Sequence, residues 1–316
     1  MNIKHAQYIM EILKEGSITG AAKALHVSQP ALSQTVKAVE SFIGAPIFLR
    51  NKMPLTLTEA GKRYIEAAKR IITINTNLLN EVNDIKQEES GVLHLGITMQ
   101  RAMEILPKVI GPFFKAYPYV RLEIAEAGYA ETEANLLSGD LDVAVLTTVP
   151  TREELNYQLV ETEKVLLVAN KNTEIAQRIP NGKSILVTEA KNEKFVSITK
   201  EYVIRRIQDR LFASNDISPF IILETSSIEV GKKVVMNTDT VFIAPDVYLD
   251  EDFLTKNKCN YYTLKGVERK RSCYVCCRKD SYLRKYAQDF IELILKHGRE
   301  HLRVRKLIGQ FAELED

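Results

Sequence analysis

No apolar run in the chain approaches the ~18 residues that cross a bilayer. Its start, MNIKHAQYIMEILKEG, lacks the basic, apolar and small-residue order of a secretory leader. Both absences make the cytoplasm the expected compartment, with no membrane partner expected. Cysteine is scarce: Cys259, Cys273, Cys276 and Cys277 are too few and too late for a disulfide framework. An excess of one charge is missing as well. Lys and Arg number 43 against 41 Asp and Glu, and the resulting +2 gives no argument for nucleic acid by itself.

Complete catalytic or metal patterns are also lacking. Cys273 and Cys276 have CxxC spacing, but in a strand Cys273 and Cys277 point one way and Cys276 the other, so chelation would need a turn between them. No second CxxC and no pair of histidines is read as completing a tetrahedral set. Structural packing is the expectation for these thiols, with thiol-based sensing the alternative. Asn181-Gly182-Lys183-Ser184 ends like a phosphate-binding loop, yet position 177 is Gln rather than glycine, so it reads as a surface turn. The histidines at 5, 26, 94, 297 and 301 show no acid and nucleophile at a diagnostic spacing and are read as structural or exposed. No catalytic residue, metal or cofactor is therefore expected.

What is present is a chain of 316 residues, 45% hydrophobic, enough for two or three compact units. Its most informative stretch is SITGAAKALHVSQPALSQTVKAVES, residues Ser17 to Ser41. Ile18, Ala21, Ala22 and Leu25 mark one helical face, with Ser17 at the N-cap position. After a break at His26 and Val27, Ser28 can cap a second helix that carries Pro30 in its first turn and buries Leu32, Val36, Val39 and Ile43. Its opposite face holds Pro30, Ser33, Gln34, Lys37 and Ser41. This is the pattern of a helix-turn-helix whose second helix enters a major groove. From periodicity alone an ordinary helical hairpin with a solvated face fits equally. Gly20, inside the first of the two helices, costs up to ~1 kcal/mol against alanine and has no functional account at this stage.

A face of Ile9, Ile12 and Leu13 upstream completes a three-helix unit. Downstream, Gly44 and Pro46 end the second helix, and IFLRNKMPLTLT alternates about the Asn51 to Pro54 turn as a hairpin, or wing. From Thr58 to about Glu89 there is no proline, and Tyr64, Ala68, Ile71, Leu78, Val82 and Ile85 form a heptad seam interrupted by Asn75. A helix this long has few places to bury such a seam within one protomer, so it is expected to pair with a second copy.

The run AAKALHVSQPALSQTVKAVE, followed by IGAPIFLR and LTLTEAGKRYIEAA, resembles the amino-terminal signature of the LysR-type transcriptional regulators, densely over about the first 70 residues. The resemblance implies a homodimer or tetramer that binds double-stranded DNA. On that reading Gln29, Pro30, Ser33, Gln34 and Lys37 are expected at base edges, and Ser28, Thr35, Arg50 and Lys52 at phosphates; solvated surface charge is the alternative for Arg50 and Lys52, and the resemblance favours phosphate contact more for Arg50. In that family two long helices pair antiparallel.

Beyond Gly91 short apolar strands alternate with helices, an α/β texture. The strand candidates are LHLGIT, VRLEIAE, DVAVLTT, KVLLVAN, FVSIT, FIILET, TVFIAP and SCYVCC. The resemblance implies a two-lobed fold like that of type 2 periplasmic binding proteins. The expected division is 1–58 for a winged helix-turn-helix domain, 59–90 for a linker helix, 91–300 for an effector-binding domain and 301–316 for a charged tail. Within 91–300, residues 91–161 and 267–300 form one lobe and 162–266 the other.

Helix amino termini after strands are natural anion seats. Two such loops, Thr98-Met99-Gln100-Arg101 and Ser197-Ile198-Thr199-Lys200, are expected to face one another across a cleft, and Thr147, Thr148, Thr225 and Ser226 join them by strand-end logic. Each Ser or Thr taken alone is equally a simple helix cap. The expected ligand is a small carboxylate-bearing effector. MNTDTVFIAP departs from the glycine-rich turn of many relatives, which leaves that loop's contribution open. The rival reading is a two-lobed solute-binding protein or metabolic enzyme whose helical start serves only assembly.

Overall fold

The computed structural model describes residues 2–49, 53–86, 90–200, 202–249, 259–267 and 271–307, with side chains described as far as 301. Two compact units result, dividing near residue 88.

The first unit comprises α1 (Ile3–Glu15), α2 (Ile18–Ala24), α3 (Gln29–Ile43), β1 (Phe48–Leu49), β2 (Thr56–Leu57) and α4 (Glu59–Ile85). Side-chain caps start all four helices: Asn2 accepts from Lys4 and His5, Ser17 from Gly20, Ser28 from Ala31 and Thr58 from Gly61. Gly16 and Gly44 close α1 and α3 in the left-handed region. His26 also takes a positive φ, 53°, between α2 and α3. One core joins Ile9, Ile12, Ala21, Leu32, Val36 and Val39 to Ile47, Tyr64, Ile65 and Ala68.

Two glycines here answer to close approach. At Gly61 an added Cβ would stand 2.2 Å from the Ile47 carbonyl oxygen, so the first turn of α4 is seated directly on the chain entering β1. At Gly20 it would stand 2.8 Å from the Ser17 hydroxyl, the group that accepts from Gly20 N–H at 3.0 Å. The glycine unexplained by helix propensity thus leaves room for the cap.

The second unit contains β3 (Gly91–Ile97), α5 (Met99–Ala116), β4 (Val120–Glu126), α6 (Tyr129–Ser138), β5 (Val143–Thr147), β6 (Leu155–Glu163), β7 (Val165–Asn170), α7 (Glu174–Arg178), β8 (Ser184–Ile185), β9 (Lys194–Ile198), α8 (Val203–Ser214), β10 (Phe220–Thr225), α9 (Ile228–Asn237), β11 (Val241–Pro245), β12 (Cys259–Leu264), β13 (Arg271–Arg278) and α10 (Lys285–Leu307). They build two lobes. One has a sheet ordered β4-β3-β5-β13-β6, the other a sheet ordered β10-β9-β11-β7-β12-β8. The chain crosses from the first lobe to the second at Lys164, between β6 and β7. There Asp246 clasps the crossing: Lys164 N–H donates to Asp246 Oδ1 and Asp246 N–H to the Lys164 carbonyl, both at 3.0 Å.

The eight strand candidates all form strands, but β6, β8 and β12 were not among them. In β6, Glu161, Thr162 and Glu163 interrupt the apolar signal, and its pairing partner β13 lies more than a hundred residues away. The turn after α9 manages without glycine. Asn237 Nδ2 and Thr238 Oγ1 donate to the Lys233 and Val234 carbonyls, each at 2.7 Å, and close the helix by side chains. Helix α10 runs through residue 300 without a break. Cys273 packs with Leu93 and Phe290 on one face of its sheet, Cys276 with Leu136 and Leu146 on the other. Among the described residues no helix is long and apolar enough to cross a membrane.

Candidate nucleic-acid interface and ligand cavity

Helix α3 buries Leu32, Val36 and Val39 and turns the opposite face outward. Ser28, Gln29, Pro30, Gln34 and Lys37 are exposed, and Ser33 and Thr35 half-buried. Two of these already have local partners: Gln29 Nε2 donates to Ser33 Oγ at 2.9 Å, and the Thr35 hydroxyl donates to the Ala31 carbonyl at 3.2 Å. Gln34 and Lys37 thus form the long, outward-facing pair available to base edges. Arg50 and Lys52 lie outside the described residues.

Between the lobes of the second unit is a cavity of about 310 Å³. Thr98, Gln100, Thr147, Thr199 and Ser226 line it. The helices α5, α6, α8 and α9 all begin on its wall, through Thr98, through Gly128 and Tyr129, through Tyr202 and Val203, and through Ile228. Unpaired N–H groups and the positive ends of four helices therefore share one space. Thr98, Gly128 and Tyr202 sit at N-cap positions yet supply no side-chain capping bond. Gln100 Nε2 reaches across the lobes to the Ser226 carbonyl at 2.7 Å.

The structure places the remaining expected residues elsewhere. Arg101 does not line this cavity: it is 1% exposed and paired with Glu161, at 2.7 Å, and with Glu163. Its position on α5 points it under the helix, toward β6, whereas the sequence placed it in the ligand loop. Met99 lines a neighbouring cavity of about 350 Å³ with Gln100, Met103, Glu104 and Lys232. Ile198 is buried in the second-lobe core, Lys200 is exposed and outside the lining, and the Thr225 hydroxyl accepts from Ser227 N–H at 3.1 Å. Sequence reasoning missed Tyr129, Tyr202, Tyr248 and Arg271 on the cavity wall. For Arg271, the only local signal was a cation at the start of the strand that returns to the first lobe.

Beneath the wall lies a buried ion cluster. Glu163 pairs with both Arg101 and Arg271, and both guanidinium groups stack on the Tyr248 ring, at 5.3 and 6.0 Å to its centroid. Tyr248 follows β11 and thus ties the second lobe to charges of the first. Burial lowers the Arg271 pKa and raises that of the Tyr248 phenol. Burial alone would raise the Glu161 carboxyl, but the His301 hydrogen bond and the Arg101 charge hold it at about 2. The His301 imidazole is correspondingly raised by its bond to Glu161.

A groove-reading helix in one unit and a ligand-sized, anion-favouring cavity in the other describe a DNA-binding regulator that answers to a small molecule. Residues 86–299 match the LysR substrate binding domain, and residues 3–62 match the bacterial regulatory helix-turn-helix protein, lysR family. The chain is 29% identical to the uncharacterized HTH-type transcriptional regulator YcgK of Bacillus subtilis, over 96% of this chain and 95% of that one. Its fold is similar to that of HinK, a LysR family transcriptional regulator from Pseudomonas aeruginosa, with a TM-score of 0.55 and 20% identity over 94% of this chain and 98% of that one. It is also similar to the effector binding domain of QuiR in complex with shikimate, with a TM-score of 0.55 and 16% identity over 67% of this chain and 99% of that domain. The chain belongs to the LysR family of transcriptional regulators: it is a DNA-binding transcriptional regulator with an effector-binding domain. Members of this family are transcriptional regulators, which are not enzymes generally.

Proposed function

We propose that the interlobe cavity binds a small carboxylate-bearing metabolite and that the occupied cavity changes how α3 engages its operator. The convergence of four helix starts on one cavity carries this reading, because each favours negative charge by a few tenths to ~1 kcal/mol and all act on the same volume. Thr98, Gln100, Thr147, Thr199 and Ser226 supply hydroxyl, amide and backbone groups to orient the ligand, and Arg271 adds a cation at the wall. Arg206 and Arg210 of α8 border an adjoining cavity that shares Tyr129, Thr147, Val203 and Arg271 with the first, which extends the positive character. QuiR, with a domain of the same fold, is bound to shikimate, itself a hydroxylated carboxylate.

On DNA, Gln29, Pro30, Ser33, Gln34 and Lys37 read base edges while Ser28, Thr35, Arg50 and Lys52 hold phosphates. Two copies are joined through α4. Tyr64 and Ala68 of its seam are buried in the first unit's own core, but Ile74, Leu78, Leu79 and Ile85 are between 55% and 80% exposed. An apolar stripe of that length is an interface with a second copy.

The test is a titration of operator binding with a panel of small carboxylates and their amides, using the wild-type chain and the Thr98→Ala, Thr199→Ala double variant. A carboxylate that shifts operator affinity in the wild type and not in the variant supports the site. Identical responses in both proteins exclude this cavity as the effector site.

A further inference from the structure

The sequence spaces His297 and His301 four residues apart, and the structure brings their rings together. They lie one turn apart on α10, so both rings leave the same helix face, stacked with centroids 5.7 Å apart and planes at 12°. Helix α5 brings Glu104 against them: its Oε1 is 2.5 Å from His297 Nε2 and 3.8 Å from His301 Nδ1. One ligand atom from each of the three side chains falls within 4.8 Å of the others. From β6, Glu161 Oε2 lies 2.9 Å from His301 Nδ1, while its Oε1 is held by Arg101 at 2.7 Å.

We propose that Glu104, His297 and His301 form a site for a divalent transition-metal ion, zinc being the expected occupant, with Glu161 Oε2 supporting the His301 ring and solvent taking the fourth position. Zinc bonds of ~2.0–2.2 Å at tetrahedral angles place ligand atoms about 3.3 Å apart. The Glu104 Oε1 separations of 2.5 Å to His297 Nε2 and 3.8 Å to His301 Nδ1 bracket that spacing. Uptake replaces the hydrogen bonds now made by the ring nitrogens, and small side-chain rotations suffice. Two imidazoles with carboxylates suit zinc and its neighbours in the first transition row, whereas calcium and magnesium prefer all-oxygen shells.

Glu104, Glu161 and Glu163 face Arg101, Arg271 and the His301 imidazole, and a dication enters by taking the place of the proton that His301 shares with Glu161. The ion would join α10 to α5, and β6 is tied in through the Glu161 bond to His301. Two residues beyond Glu161, β6 ends at the crossover into the second lobe. The site is therefore a clamp beside the strand that leads into that crossover.

The test uses the full chain, stripped with chelator and dialysed, then titrated calorimetrically with zinc chloride, with cobalt(II) as a spectroscopic probe. The expected result is one ion per chain and a cobalt spectrum of nitrogen and oxygen ligands. Altering a residue behind a metal ligand costs about 10- to 100-fold in affinity, so removing a ligand by His301→Gln is expected to cost at least about 100-fold. The near-isosteric Glu104→Gln guards against misfolding of the histidine variant and is expected to weaken binding as well. His5→Gln, in the other unit, leaves binding unchanged. Failure of the wild type to bind zinc, undiminished binding in both ligand variants, or a thiolate-to-cobalt band that places the ion on cysteine would each overturn the proposal.

Discussion

Replacing Arg101 by methionine keeps the length of the side chain and removes the charge that joins α5 to β6. Arg101 is 1% exposed and its partners Glu161 and Glu163 are as deeply buried, so the carboxylates cannot turn to water for compensation. Glu161 is held at about 2 against a usual 4.5, a gap worth about 3.4 kcal/mol at ~1.36 kcal/mol per pH unit. His301 supplies part of that, but Glu163 loses one of its two guanidinium partners at the same time. Breaking a buried ion pair costs about 3–5 kcal/mol in general. The expected loss is therefore about 3–4 kcal/mol, or a fall in Tm of roughly 6–16 °C for a domain of this size. Since the folded carboxyl is depressed, its stabilisation is complete above about pH 4.5 and is lost as pH falls toward 2, so the variant's stability should vary less over that window. Calorimetry on chelator-treated protein reads the shift. Hydrogen exchange localises it, with α1 to α3 as the unmoved reference. Adding Glu161→Gln to the variant should recover at least about 1 kcal/mol by removing the stranded charge. A Tm change under about 2 °C, or no recovery in the double variant, would refute the reasoning.

Gln34→Ala should relax sequence preference by about 1–3 kcal/mol at one base position, while Arg50→Ala weakens all duplexes alike and reduces the salt slope by about 1; binding-site selection and salt titrations separate them. Gly61→Ala should destabilise the first unit by about 2 kcal/mol despite a helix-propensity gain of up to ~1, because the new Cβ meets the Ile47 carbonyl; unchanged stability would show that β1 can yield. Leu78→Asp should lower the sedimentation mass at equal concentration without loss of helicity, and an unchanged mass would place the dimer contact elsewhere. The four cysteines are buried, and burial pushes the Cys276 thiol up, so thiol reagents should label the chain only as it unfolds; fast labelling of the folded form would revive a sensing role.

The three-helix unit was legible because its signals are local: caps at Ser17 and Ser28, a stripe at Leu32, Val36 and Val39, a left-handed glycine at position 44. The cavity was half legible for a related reason. A strand running into a helix marks a helix start from neighbouring residues alone, and five of the expected polar residues do line the space. What local pattern could not show was direction. Arg101 reads as a loop cation, and only the path of α5 over β6 turns it inward. Glu161 and Glu163 weaken the strand signal of β6 until Arg101 and Arg271, some 60 and 108 residues away, are seen to face them. His297 and His301 carried the one signal that was available and passed over, a four-residue spacing on a helix.

Gly61 has a mechanical consequence. With no side chain to keep it away, the base of α4 is bedded in the same core that carries α3, so the reading helix and the long helix move as one rigid arm. At ~1.5 Å per residue, its 27 residues make a lever about 40 Å long. Tilting that lever by about 5° displaces its far end by about 3.5 Å, close to the rise of one base pair, ~3.4 Å. In the dimer proposed through α4, small angular play between the protomers would be magnified into a change of half-site spacing.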